Sequence, residues 1–226
     1  DIEYEGARLA LENASLCEVR LNGEPAGRIE GWFTDESIPT IHLPKITRGE
    51  NILLIRAPIG VNTRLEWCYL LGGFGVRLAG RRAAITTLPE TLGFSSITGQ
   101  LLPFYTGNVE YDEDIETPEC SLEVRVSEYR GALVRVFLDG VDKGVIAFDP
   151  YRLRLGNVAA GRHTLTFRCY GTRYNIFGAL HNANTNESWV GPKLWKTTGD
   201  SWCYEYRLRD AGILAELVLY ICAPEV

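Results

Sequence analysis

The chain has 226 residues, 46% of them hydrophobic and 23% charged, with a formal net charge of −6. That composition suits a globular protein of one large domain or two modules of roughly 100 residues each, with a core that needs no disulfide scaffold. No apolar run approaches the roughly 18 residues of a membrane span, and the 23 Lys and Arg are scattered, which argues against a nucleic-acid surface and its clustered cations.

Read from the front, the first strand is predicted at Ala7–Leu11. Cys17, Val19 and Leu21 then alternate with Glu18 and Arg20, the period of a half-buried strand. Asn22-Gly23 follows as a hairpin turn pair, because both central residues of such a turn need positive φ. Leu53 and Ile55 alternate with Leu54 and Arg56, and Ala83–Thr86 is a further short strand. Residues 86–102, rich in Thr, Gly, Ser and Pro, form a linker. Beyond it Phe104–Tyr111 and Cys120–Val126 are strands, Asp139-Gly140 is a second hairpin turn, and Leu165 and Phe167 alternate with Thr166 and Arg168. Helical periodicity is absent. The expected architecture is all-β, with two tandem β-sandwich modules of jelly-roll type over 1–85 and 103–226.

The two modules read as copies. Val19-Arg20-Leu21-Asn22-Gly23 with Gly27 matches Val136-Phe137-Leu138-Asp139-Gly140 with Gly144, at an offset of 117. Ile41-x-Leu43 and Gly49-x-Asn51-x-Leu53-x-Ile55 match Leu153-x-Leu155 and Gly161-x-His163-x-Leu165-x-Phe167, at 112. Trp67-Cys68-Tyr69 matches Trp202-Cys203-Tyr204, at 135, which reads both tryptophans as core. The second copy has two strands ahead of its hairpin and the first has one, so the first module is expected to lack its leading strand. With no Met, and Asp1 falling inside what reads as a folded segment, the sequence is expected to be part of a longer polypeptide.

Six cysteines lie mostly in apolar strand-like runs and form no CxxC pair. They read as buried free thiols, which leans towards a reducing compartment. No cofactor is expected. The acidic run Tyr111–Glu116 has the oxygen chemistry that calcium favours, but without glycine-turned loop spacing it is read as a solvated turn. His163, matched by Asn51, is read as structural. No pair of carboxylates stands out as the two that glycoside hydrolysis needs, and no GxSxG, HExxH, P-loop or Rossmann pattern occurs.

The informative stretch is the insertion between Phe167 and Trp202. Long loops on a rigid sandwich are where binding residues concentrate. Sugar rings present C–H faces that stack on aromatic rings, and hydroxyls that need amide, carboxylate or guanidinium partners. Arg173, Asn175, His181, Asn182, Asn184, Trp189 and Trp195 supply both kinds. They are the candidate ligand-binding residues; among them Arg173 and Asn175 are expected to hold the loop from beneath through hydrogen bonds to backbone groups, leaving Asn182, Asn184 and one Trp face for a ligand, with pinning of the loop to the sandwich or packing against another domain as the alternative use.

Taken together, V-x-L-[ND]-G-x3-G and the later G-x-[NH]-x-L-x-[IF] strand resemble the galactose-binding-like jelly roll, an ancillary domain of glycoside hydrolases of the β-galactosidase and rhamnosidase type. Pro103–Asn108, Arg173-Tyr174-Asn175, Phe177-Gly178, Leu180-His181-Asn182 and Gly199–Trp202 resemble the C-terminal region of large bacterial glycosidase-like proteins. The resemblance implies a non-catalytic accessory region whose partners are carbohydrate or the catalytic domain of the same polypeptide. A self-contained polysaccharide-acting jelly-roll enzyme and a purely structural interdomain module are the alternatives.

Overall fold

The computed structural model describes residues 1–61, 67–184 and 198–224. It is all-β, with antiparallel sheets stacked as sandwiches. The strands are β1 (Arg8–Ala10), β2 (Glu18–Leu21), β3 (Glu24–Pro25), β4 (Ile29–Phe33), β5 (Asp35–His42), β6 (Leu53–Arg56), β7 (Tyr69–Leu71), β8 (Gly75–Ala79), β9 (Arg82–Thr86), β10 (Val109–Thr117), β11 (Cys120–Val126), β12 (Tyr129–Arg130), β13 (Val134–Leu138), β14 (Val141–Ile146), β15 (Arg152–Val158), β16 (Gly161–Cys169), β17 (Gly212–Ile213) and β18 (Leu217–Cys222). A single helical turn, α1 (Tyr174–Phe177), follows β16. The chain forms two compact units, Asp1–Gly75 with Ala84–Leu88, and Val76–Ala83 with Pro89–Val226.

The first unit has one sheet in the order β4-β5-β1-β7 and another in the order β3-β2-β6. The second has β15-β11-β18 and β10-β16-β13-β14. Alternation decides which side chains turn inward. Val134, Val136 and Leu138 on β13 and Leu165, Phe167 and Cys169 on β16 are buried, and the residues between them are half-exposed. β11 is central in its sheet, and its Leu122, Val124 and Val126 are inaccessible to solvent. The smaller core of the first unit gathers Leu9, Val19, Leu21, Ile41, Leu43 and Ile46.

Register shows the repeat at the level of pairing. Val19 lies opposite Ile55 and Leu21 opposite Leu53, as Val136 lies opposite Phe167 and Leu138 opposite Leu165. Leu9 faces Ile41 and Leu70, as Val124 faces Leu153 and Leu219. The counterpart of β7 is therefore β18. The expected match of Trp67-Cys68-Tyr69 with Trp202-Cys203-Tyr204 is overturned: Tyr69 opens a strand, and Cys203 sits in a loop. Nor is Trp67 core, since it is 49% exposed.

Two further expectations change. The strand predicted at Phe104–Tyr111 begins only at Val109, because Tyr105 N–H turns back to the Leu102 carbonyl (3.3 Å) and Tyr105 Oη donates to the Asn108 carbonyl (3.0 Å). The acidic run 111–116, read as a solvated turn, is the middle of β10. Its outward carboxylates have cross-strand partners that sequence spacing cannot show. Asp112 accepts from Thr166 Oγ1 (2.6 Å), Asp114 from Thr164 Oγ1 (2.8 Å), and Glu110 pairs with Arg168 (2.5 Å). β10 has no counterpart on β6 among the described residues of the first unit.

The two hairpins share a side-chain latch built from different chemistry. Asn22 and Asp139 sit at φ 52° and 50°, followed by Gly23 at 86° and Gly140 at 77°, so all four occupy the left-handed region that this turn requires. Asn22 Oδ1 accepts from Ile52 N–H (2.8 Å), and Asp139 Oδ1 from Thr164 N–H (2.9 Å). Asn51 then bridges Asn22 and the Thr47 carbonyl (2.8 and 2.7 Å), and His163 bridges Asp139 and the Ala159 carbonyl (2.7 and 2.9 Å). A carboxylate and a carbonyl only accept, so the protonated ring of His163, with both nitrogens donating, is the form that satisfies both contacts.

The latch of the second unit is consequently pH-dependent. The hydrogen bonds to Asp139 and then Ala159 raise the His163 pKa above its ordinary 6.5, and the bond from His163 lowers Asp139 below 3.8. A raised imidazole stabilises fully below 6.5 and loses its contribution as pH rises through the folded value. A depressed carboxyl stabilises above 3.8 and loses its contribution as pH falls through its folded value. The latch is strongest between those limits. Thermal melts at about pH 5.5 and about pH 8.5 should differ more for the native chain than for His163→Asn, which installs the neutral chemistry of the first unit. Equal pH dependence in the two proteins would remove the latch from the account.

Candidate functional site

The insertion leaves β16 at Gly171, where the backbone passes the loop ahead of β10. A Cβ at Gly171 would meet the Thr106 carbonyl oxygen at 2.6 Å, so glycine alone fits. Arg173 lies just before α1 and is exposed. Its carbonyl accepts from Phe177 N–H (2.9 Å), so its structural role is carried by the backbone. Asn175, on α1, is 4% exposed and grips the returning chain at both backbone groups of one residue. Its Nδ2 donates to the Arg209 carbonyl (2.8 Å), and its Oδ1 accepts from Arg209 N–H (2.9 Å). The Arg209 guanidinium lies 3.8 Å from the Tyr174 ring centroid and closes the same junction.

Beyond α1 the loop runs alongside residues 201–207. Cys203 N–H donates to the His181 carbonyl (2.7 Å), Ala183 N–H to the Ser201 carbonyl (2.9 Å), and Arg207 N–H to the Leu180 carbonyl (2.7 Å). Asn182 forms an isolated antiparallel bridge with Trp202. It is buried, and its Oδ1 accepts from Asn184 N–H (3.0 Å) in a tight turn. His181 Nδ1 donates to the Cys203 carbonyl (2.8 Å), which fixes the ring. That ring stacks on Trp202 at 4.4 Å and 15° and leans on Tyr206 at 4.7 Å.

Sequence reasoning placed the aromatic chemistry at Trp189 and Trp195, which lie outside the described residues. It missed Trp202, Tyr204 and Tyr206, which alternate in sequence along a segment that bends at Tyr204 and Glu205. Tyr204 is 61% exposed, meets Trp202 edge to face at 6.4 Å, and carries the Arg81 guanidinium 4.1 Å over its ring. Tyr206 packs on Phe104 at 4.8 Å, and burial raises its phenol pKa. The spacing W-x-Y-x-Y was the available signal, hidden by reading Trp202 as a copy of Trp67. The structure therefore brings His181, Asn182 and Asn184 to an aromatic row, and it sets Asn175 to hold the loop at Arg209.

Among the described residues of the second unit lie shallow concavities of about 300 and 310 Å³. One is lined by Glu128, Tyr129, Arg130, Ala147 and Tyr151, with Tyr129 and Tyr151 edge to face at 5.9 Å. The other opens between β10 and β18 over Leu165 and Phe167, with Glu113 and Glu216 among its lining residues. Arg173, Asn175, His181, Asn182 and Asn184 line neither. Among the described residues no three His, Cys, Asp or Glu are grouped to hold a metal ion, and no helix is long and apolar enough to cross a membrane.

No protein-family model and no curated protein matches the chain. Among solved structures, a rhamnosidase from Novosphingobium sp. PP1Y aligns with 90% of this chain at 18% identity and a TM-score of 0.42. The chain spans 20% of that protein's length.

Proposed function

We propose that the chain is an accessory, carbohydrate-binding region of a bacterial glycoside hydrolase. The observation that carries this reading is the row Trp202, Tyr204 and Tyr206 beside His181, Asn182 and Asn184, with Arg81 over Tyr204. Exposed aromatic surface at Tyr204 offers stacking to a pyranose, and the exposed Asn184 amide and the Arg81 guanidinium offer partners to its hydroxyls, while the buried Asn182 shapes the turn. The jelly-roll and glycosidase-like motifs in the sequence support the same class. In this reading Asn175 and Arg173 position the loop; Trp189 and Trp195, candidates from the sequence, lie outside the described residues. The six unpaired thiols suit a reducing compartment.

Electrophoresis through gels containing soluble polysaccharides tests the proposal. The native chain should be retarded by at least one neutral polysaccharide. Tyr204→Ala should weaken retention by about 5- to 10-fold, the worth of one aromatic stack. Its melting temperature should hardly change, because Tyr204 is 61% exposed. Free migration of the native chain through every polysaccharide would reject the carbohydrate-binding role.

A further inference from the structure

The pairing of the two units assigns a vacant place. In the second unit, β16 is bonded on one side to β13 and on the other to β10. In the first, β6 is bonded to β2, and its other edge has no strand among the described residues. The consequence shows at equivalent side chains. Leu165 and Phe167 are fully buried, whereas Leu53 is 38% exposed and Ile55 half-buried. β10 supplies Val109 and Tyr111 to its core at 8% and 5% exposure, and among the described residues no strand fills that role beside β6. Ile52 and Leu54, at 66% and 40%, extend the exposed apolar surface along the same edge.

We propose that the outer edge of β6 is a strand-accepting site, completed by an antiparallel strand of the parent polypeptide that precedes β1. The repeat specifies the occupant. β10 lies directly ahead of β11, separated from it by Pro118 and Glu119, and β11 is the counterpart of β1. β10 runs antiparallel to β16 with Tyr111 opposite Phe167 and Glu113 opposite Leu165. The incoming strand therefore places its residues opposite Ile55 and Leu53 in the same register, with an apolar side chain turned inward across from Ile55. Its connection to β1 is longer than that of β10 to β11. Residues ahead of β1 continue its pairing with the segment after β5, where Tyr4 and Ile46 exchange backbone hydrogen bonds of 3.0 and 2.9 Å. Main-chain bonds of this kind supply affinity, and alternate side-chain pockets supply specificity. An edge left bare would pair with other chains.

The proposal rests on the chain being part of a longer polypeptide, as the accessory-region reading does, and its test is independent of glycan. A copy of residues 109–117 is fused ahead of Asp1 through a flexible Gly/Ser linker, and hydrogen exchange is followed at Leu53–Arg56. Exchange there should slow at least about tenfold relative to the unfused chain. The same fusion carrying Tyr111→Pro within the copied segment should give no slowing, because proline removes a ladder donor. Retention on polysaccharide gels, measured on the same samples, reports on the carbohydrate reading separately. Unchanged exchange in the fusion overturns the proposal. So does an unfused chain that sediments as a dimer with β6 already protected, which gives the edge to a second copy.

Discussion

Phe167→Ala should destabilise the second unit by about 3–5 kcal/mol, whereas Leu53→Ala should cost the first unit about 1–2 kcal/mol. Phe167 is fully buried, with Tyr111 opposite it on one neighbouring strand and Val136 on the other, so truncation leaves a void that cannot collapse without moving both strands. Leu53 holds the same kind of position on β6 but keeps 38% of its surface in water, and water fills the space its side chain leaves. Because two units need not unfold together, the comparison is made by exchange protection in each unit during denaturant titration. Equal losses would mean that β6 is as well covered as β16, and would weaken the case for an empty place beside it.

The second large effect is expected at Asn175. Asn175→Ala should cost about 1–3 kcal/mol, because Arg209 N–H and its carbonyl both lose their partner at a part-buried junction. Asn175→Asp should be no better. It keeps the acceptor for Arg209 N–H but sets a second acceptor against the Arg209 carbonyl. In either variant, amides from Ile176 to Ala183 should exchange faster, and Trp202 fluorescence should shift as His181 loosens on its ring. Native exchange in this segment, with only Arg173 and Tyr174 affected, would show that the aromatic row holds the loop without Asn175.

Much of the fold was readable because its devices are local. Alternation at Cys17–Leu21 and at Leu165–Arg168, with Asn22-Gly23 and Asp139-Gly140 at the turns, needs only neighbouring residues to be recognised. The acidic stretch of β10 was not readable, since its alternation of carboxylates becomes strand-like only beside Thr164, Thr166 and Arg168 some 50 residues later. The candidate site was half-visible. His181, Asn182 and Asn184 stood out by composition. The row at Trp202 was masked by a chance W-C-Y match, and Asn175 was read as a loop-holding residue, though its partner, a backbone 34 residues away, is not visible in the sequence.

The alternating acids of β10 also bear on how the protein keeps its solubility. β10 is the outermost strand of its sheet and shows Glu110, Asp112, Asp114 and Glu116 along one face. A second molecule that approached this rim would bring its own Asp112 and Asp114, which pair with threonines and not with cations, against the same acids, and that repulsion would oppose pairing. The rim at β6 carries Leu53, Leu54 and Ile55 with only Arg56 as a charge. At high concentration the two sheet edges therefore behave oppositely: crowding is resisted at β10 and invited at β6, and sticking starts in the first unit.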